Sequence, residues 1–156
     1  MSPPLHITLV APEIPQNTGS IARLCVGLGA RLHLIRPLGF SLRESRVKRA
    51  GLDYWEHADL VIHENWERYL ADARPPALFF ASTRGERSCF DCRFTPDAHL
   101  VFGNETSGLP PDFYVRYRDQ LFRIPMPGPH ARSINLANAA AIAAYEAYRQ
   151  LLQSPP

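Results

Sequence analysis

Six short apolar runs recur along the chain, Leu5–Val10, Leu32–Ile35, Leu60–Ile62, Ala77–Ala81, Leu100–Phe102 and Leu121–Ile124, and several are separated by segments of helical period. A short run that is apolar throughout suits a strand buried on both faces, and strands joined through helices lie parallel. The predicted fold class is therefore α/β: a mainly parallel sheet with helices on both faces. The clearest helix follows Asn17, where Ile21, Leu24, Cys25 and Leu28 fall on one face, Asn17 or Thr18 can cap the start and Gly29 can end it. Further helices are expected over Asn65–Ala73, just after Pro110–Pro111, and over Ser133–Gln150, with Ser133 as a candidate N-cap. No repeat, low-complexity stretch or linker divides the chain, so residues 1–156 are expected to form one domain.

Several function classes fall away on composition and motif. No run approaches the roughly 18 apolar residues of a membrane span, and "MSPPLHITLV" lacks the basic and apolar regions of a secretory signal, so a soluble, cytoplasmic protein without membrane contact is expected. Three cysteines, Cys25, Cys89 and Cys92, are an odd number for a disulfide framework. The Cys89/Cys92 pair lacks companion ligands at zinc spacing, so no metal is expected; an incidental loop pair is the plainer reading, redox chemistry the alternative. No G-x-G-x-x-G follows the first strand, Lys48 sits in "RVKRAG" rather than a P-loop, and no G-x-S-x-G elbow occurs. A net charge of +2 does not announce nucleic acid. The positive charge is nevertheless almost all Arg, with Lys48 the sole Lys, and the guanidinium fork suits phosphate and base stacking.

Ligands of open α/β sheets gather at the carboxyl ends of the strands. Three unusual loops follow three of the runs: "APEIPQNTGSIAR", "GNETSGLPP" and "PMPGPHARSINLAN". Taken singly, Gly103 can merely turn the chain, and Asn17 and Ser133 can merely cap helices. Together they put Asn, Glu, Ser and Arg at one sheet edge, which suits a polar pocket with few charges.

The motifs "EIPQNTGSIARLC", "LVFGNETSGLP" and "RIPMPGPHARSINLANAAAIAAYE", in this order, resemble the SPOUT superfamily, in particular its SpoU branch of ribose 2′-O-methyltransferases. The resemblance runs from about Leu5 to Leu152. Within that branch "KRAGLDYWEH" is similar to the short tRNA enzymes that methylate the wobble cytidine or uridine of the anticodon. The resemblance implies a C-terminal deep trefoil knot that forms the site for S-adenosylmethionine, with S-adenosylhomocysteine as product. It places Ala81, Gly103, Ile124 and Ser133 at the cofactor, with Thr83, Glu105, Met126, Leu136 and Asn138 close by. Gly103 would let backbone approach the ligand where a Cβ has no room.

For catalysis the resemblance points to Arg23, with Asn17, Glu105, Ser133 and Asn135 completing the pocket. A guanidinium stays protonated to pH ~12, so Arg23 is better suited to hold the adjoining phosphate and stabilise the developing alkoxide than to act as a free base. Arg43, Arg46, Lys48, Arg49, Arg132 and Tyr145 are the candidate RNA contacts, and Tyr54 and Trp55 could stack on an unpaired base. The implied partners are the tRNA anticodon stem-loop and a second copy of the chain, docked through the knot region. Ser107 and Ala137 depart from residues frequent in the branch, Arg and Ser respectively. Two rival readings stay open: a methyltransferase acting on another tRNA position or on rRNA, and a non-catalytic RNA-binding module.

Overall fold

A computed structural model describes residues 4–43 and 52–153. In chain order it contains β1 (Leu5–Val10), α1 (Pro15–Leu28), β2 (Arg31–Ile35), β3 (Asp59–His63), α2 (Trp66–Ala73), β4 (Leu78–Ala81), β5 (Arg87–Ser88), β6 (Ala98–Phe102), α3 (Phe113–Arg116), β7 (Leu121–Arg123) and α4 (Leu136–Gln153). Short 3-10 turns cover Leu52–His57, Cys89–Asp91 and Arg118–Gln120. The strands form one sheet in the order β3-β2-β1-β6-β4-β7-β5, and every described pairing is parallel. Among the described residues no helix is long and apolar enough to cross a membrane.

All six expected strands are present, and β5 is added to them. This two-residue edge strand lies in "GERSC", where no apolar run marks it; its register, Arg87 opposite Phe122 and Ser88 opposite Arg123, is set by its neighbour β7. Strand period two divides the core between the faces of the sheet. Leu5, Ile7, Leu9, Leu32, Leu34, Leu100 and Phe102 pack with Ile21, Ala22 and Cys25 of α1 and with the Ala140, Ala143, Ala144 and Ala147 stripe of α4. On the opposite face Val10, Ile35, Phe80 and Val101 meet Trp66 and Tyr69 of α2, Phe113 of α3 and Tyr117 just past its end.

The helix ends correct the sequence reading in two places. Helix α1 begins at Pro15, with neither Asn17 nor Thr18 as cap; Ile14 holds the cap position without any side-chain bond of its own. Gly29 ends it as expected, at φ 67°. Helix α4 begins at Leu136, and its cap is Asn135: the Asn135 Oδ1 accepts the amide N–H of Ala137 at 2.8 Å and of Asn138 at 3.2 Å. Ser133 stays in the exposed loop ahead of the helix. Helix α2 starts where expected, with Asn65 accepting the Arg68 amide.

Candidate active site

At the carboxyl ends of β4, β6 and β7, between the first turns of α1 and α4, lies a cavity of about 560 Å³. That is the scale of a site for a nucleoside-sized molecule. Each strand contributes residues at or after its end: Ala81 at the end of β4 and Thr83 beyond it, Gly103 and Glu105 after β6, Ile124 and Met126 after β7. Asn17 from α1, and Ser133, Asn135 and Leu136 at the start of α4, complete the wall. Ten of the residues read from sequence as catalytic or cofactor contacts therefore share one cavity.

Three side chains tie the loops together. The Glu105 carboxylate accepts the backbone N–H of Glu13 at 2.9 Å and of Ile14 at 2.6 Å, and the Asn17 Nδ2 at 3.4 Å. It thus supplies from the β6 loop the N-terminal cap that α1 lacks, and it places negative charge where the helix dipole favours it. The Asn17 Oδ1 in turn accepts the Asn135 Nδ2 at 3.0 Å. A continuous relay, Glu105 to Asn17 to Asn135, joins the starts of α1 and α4 to the end of β6.

Asn104, which the sequence reading passed over, organises the β6 loop. Its Oδ1 accepts the amides of Thr106 and Ser107 at 2.8 Å each and the Ser107 hydroxyl at 3.1 Å, while its Nδ2 donates to Ala11 O at 3.0 Å and to Glu13. The signal was available, since an Asn folded back on amides two and three residues ahead is an Asx turn, here in "GNETSG". Asn104 and Gly108 exchange backbone bonds as an antiparallel bridge. This closure gives Gly103 a reason other than ligand approach: a Cβ there would stand 2.1 Å from the Gly108 carbonyl carbon.

The remaining candidates lie elsewhere. Arg23 is on the exposed side of α1 and outside the cavity wall, six positions past Asn17 and so turned about 240° around the helix axis. Asn138, Arg132, Arg43 and Tyr145 are exposed and also outside the wall. Arg46, Lys48 and Arg49 lie outside the described residues, as does the side chain of Tyr54. Trp55 is half-buried against the larger core, which removes part of its ring from any base. Two wall residues carried no sequence signal, Arg84 and Tyr114, whose guanidinium and ring stack at 4.2 Å.

Away from the cavity, four imidazoles, His6, His33, His63 and His99, are buried in the sheet face covered by α2. His6 Nδ1 meets His33 Nε2 at 2.9 Å, His33 Nδ1 meets His63 Nε2 at 2.9 Å, and His99 Nδ1 meets the Tyr69 hydroxyl. Burial, then the neighbouring imidazoles, pushes His33 down to about 2 and His99 to about 3. The ring nitrogens of His6, His33 and His99 come within 4.8 Å of one another. The His6 and His99 rings, however, stack nearly parallel at 7° and 4.0 Å, so their in-plane lone pairs do not converge on a shared ion. Cys89 and Cys92 are both buried, and burial raises Cys92 to about 11, which keeps its thiol protonated and inert.

The profile of the SpoU rRNA Methylase family matches residues 4–145. A tRNA (cytidine(34)-2′-O)-methyltransferase from Burkholderia ambifaria is 49% identical over 148 residues, covering 93% of this chain and 94% of the relative. One of the same name from Saccharophagus degradans is 47% identical, covering 94% and 95%. A structure solved to give insights into the 2-OH methylation of C/U34 on tRNA superposes with a TM-score of 0.88 at 50% identity, covering 96% of this chain and 97% of that one. The SpoU methyltransferase AviRb from Streptomyces viridochromogenes, in complex with AdoMet, gives a TM-score of 0.82 at 28% identity, covering 99% of this chain but 63% of its own.

Proposed function

The chain belongs to the SpoU rRNA Methylase family, and from that premise we propose that it is a tRNA 2′-O-ribose methyltransferase acting on the wobble nucleotide, cytidine or uridine, of the anticodon. The observation that carries this reading is end-to-end correspondence with the cytidine-34 enzymes, 49% identical across 94% of the relative's length. The rRNA alternative is less well supported, since an AdoMet-bound rRNA methyltransferase from Sinorhizobium meliloti matches at 26% identity and this chain covers only 60% of it.

The methyl donor of this reading is S-adenosylmethionine, whose sulfonium supplies an activated methyl group and leaves as S-adenosylhomocysteine. The cavity fits it: the wall offers Phe102, Leu109, Ile124 and Leu136 for a flat ring, and Ser133, Asn135 and loop backbone for polar groups. We place Ala81, Thr83, Gly103, Met126 and Glu105 with them at the cofactor. The knotted threading of the C-terminal segment, a single domain and a cytoplasmic location belong to the same reading.

Transfer to a ribose hydroxyl needs an in-line approach and loss of a proton. Holding the reactants in that pose is worth on the order of 7–11 kcal/mol. Asn17 and Asn135, fixed by their mutual bond, are suited to orient the ribose. Arg23 is suited to hold the adjoining phosphate and stabilise the developing oxyanion. It stands outside the cavity of its own chain, so a second copy is the natural route by which it reaches one. The exposed Ile142 and Tyr145 on α4, which packs against α1, fit a homodimer that buries this side.

The test is transfer of labelled methyl from S-adenosylmethionine to total tRNA from a strain lacking the gene, followed by nuclease digestion and mass spectrometry. Label confined to the 2′-oxygen of the wobble nucleotide supports the assignment. Label at another position, or on rRNA, assigns the enzyme elsewhere in the family.

A further inference from the structure

Beside the main cavity lies a second, of about 380 Å³, whose walls include Arg84, Arg87, Arg118 and Tyr114 together with the carboxylates of Glu86 and Asp119. Arg84 and Tyr114 line both cavities, so the two adjoin at this stacked pair and together make a groove in two parts, from the motif loops to the β5 edge of the sheet. Ion pairs elsewhere engage Arg31 with Asp59, Arg36 with Glu64, Arg68 with Asp72 and Arg149 with Glu146. In the groove Arg84, Arg87 and Arg118 are exposed and make no ion pair among the described residues, although two carboxylates share their walls. Arg123, by contrast, donates to the carbonyls of Gly85 and Glu86 and so fixes the segment that carries Arg84 and Arg87.

Guanidinium groups without an ion-pair partner along a groove that ends at a reaction cavity match a chain of phosphates better than a single free anion. Arg binds a phosphodiester through two parallel N–H groups. The Arg84 and Tyr114 stack at the junction offers a flat surface to a base turned toward the cavity. Glu86 and Asp119 repel phosphate locally and can accept from a ribose hydroxyl, which narrows the path a backbone can take. We infer that this groove holds the phosphodiester backbone of the RNA substrate next to the target nucleotide, with Arg87 and Arg118 on phosphate oxygens.

The inference rests on reading the chain as an RNA methyltransferase, and a direct binding measurement separates the two. Fluorescence anisotropy of labelled, unmodified tRNA would be followed through a salt series with the full-length protein and S-adenosylhomocysteine present. The Arg87→Ala/Arg118→Ala double variant is expected to bind tRNA about 10-fold more weakly and to flatten the slope of log K against log salt by about 1–2. Its affinity for S-adenosylhomocysteine stays unchanged. Arg68→Ala, a charge loss on α2 at a residue that lines neither cavity, is expected to leave tRNA affinity and slope as in the parent. Should the double variant prove unstable, either single variant carries the test with about half the change in slope. Parent-like affinity and slope in the groove variants, or an equal loss in Arg68→Ala, overturns the inference, as does a parent protein that binds no tRNA. Weakened binding by the groove variants alongside a parent that transfers no methyl group keeps the groove and removes the enzymatic reading.

Discussion

The Asn135 side chain donates a 3.0 Å hydrogen bond to the Oδ1 of Asn17, 118 positions earlier in the chain. One residue thus does two things: its Oδ1 caps α4 while its Nδ2 fixes the wall residue of α1. Asn135→Ala removes both. Loss of a cap costs about 1 kcal/mol, and an orphaned, nearly buried Asn17 oxygen costs about another 1. Denaturant unfolding should register a loss of about 1–2 kcal/mol, while methyl transfer falls on the order of 100-fold because the two wall residues lose their mutual alignment. A turnover within a few-fold of the parent would mean that the relay is structural only.

Gly103→Ala introduces a Cβ into space already held by the Gly108 and Leu109 backbone, 2.1 and 2.3 Å away. Backbone cannot yield as a side-chain tip can, so the Asn104 to Gly108 bridge has to shift, at a cost of about 1–3 kcal/mol. Calorimetric titration with S-adenosylhomocysteine should find affinity sharply reduced, because the moved loop carries Glu105. Parent-like cofactor affinity would show that this wall tolerates displacement.

Arg23→Ala leaves the cavity wall intact, since Arg23 does not line it. Methyl transfer should drop at least 100-fold while S-adenosylhomocysteine affinity changes less than about 3-fold, the pattern of a group that acts mainly in the transition state. A parallel loss of cofactor binding would place Arg23 in the cofactor site.

Acid should destabilise the fold through the imidazole row. His33 is held down to about 2 and His99 to about 3 by burial, while both return to the ordinary value near 6.5 on unfolding. Below about pH 6.5 the unfolded chain therefore binds protons that the folded chain refuses, and stability falls with pH by about 1.4 kcal/mol per unit for each of the two. The stabilisation is fully present above 6.5 and is lost progressively toward pH 3. Urea midpoints at pH 7 and pH 5 would test this; equal midpoints would contradict it.

Much of this was readable from sequence for definite reasons. Strands buried on both faces leave continuous apolar runs, so six were found, whereas Arg87–Ser88 pairs at an edge and has no such signature. Ten wall residues were found through the family resemblance; six of them, Ala81, Thr83, Gly103, Glu105, Ile124 and Met126, sit at or within three positions of a strand end, and sheet topology brings those ends together. The cap of α1 was missed because it comes from Glu105, some ninety positions away, and local capping rules cannot see it. The buried imidazoles escaped notice because each stands alone in its strand. Only the parallel pairings, such as His6 opposite His99 and Thr8 opposite His33, make them neighbours.

The sheet order also sets a timetable for synthesis. Strand β1 is flanked by β2, which leaves the ribosome soon after it, and by β6, which emerges roughly 90 residues later, or about 5–20 seconds at ordinary elongation rates. Throughout that interval β1, an interior strand of the finished sheet, is an edge, apolar and unpaired on one side, with a helix beside it whose amino end awaits Glu105. An open apolar edge invites pairing with another nascent chain. The nascent protein therefore has its greatest exposure to aggregation before Ala98 is added, and one late strand both seals the sheet and completes the loop on which the proposed chemistry depends.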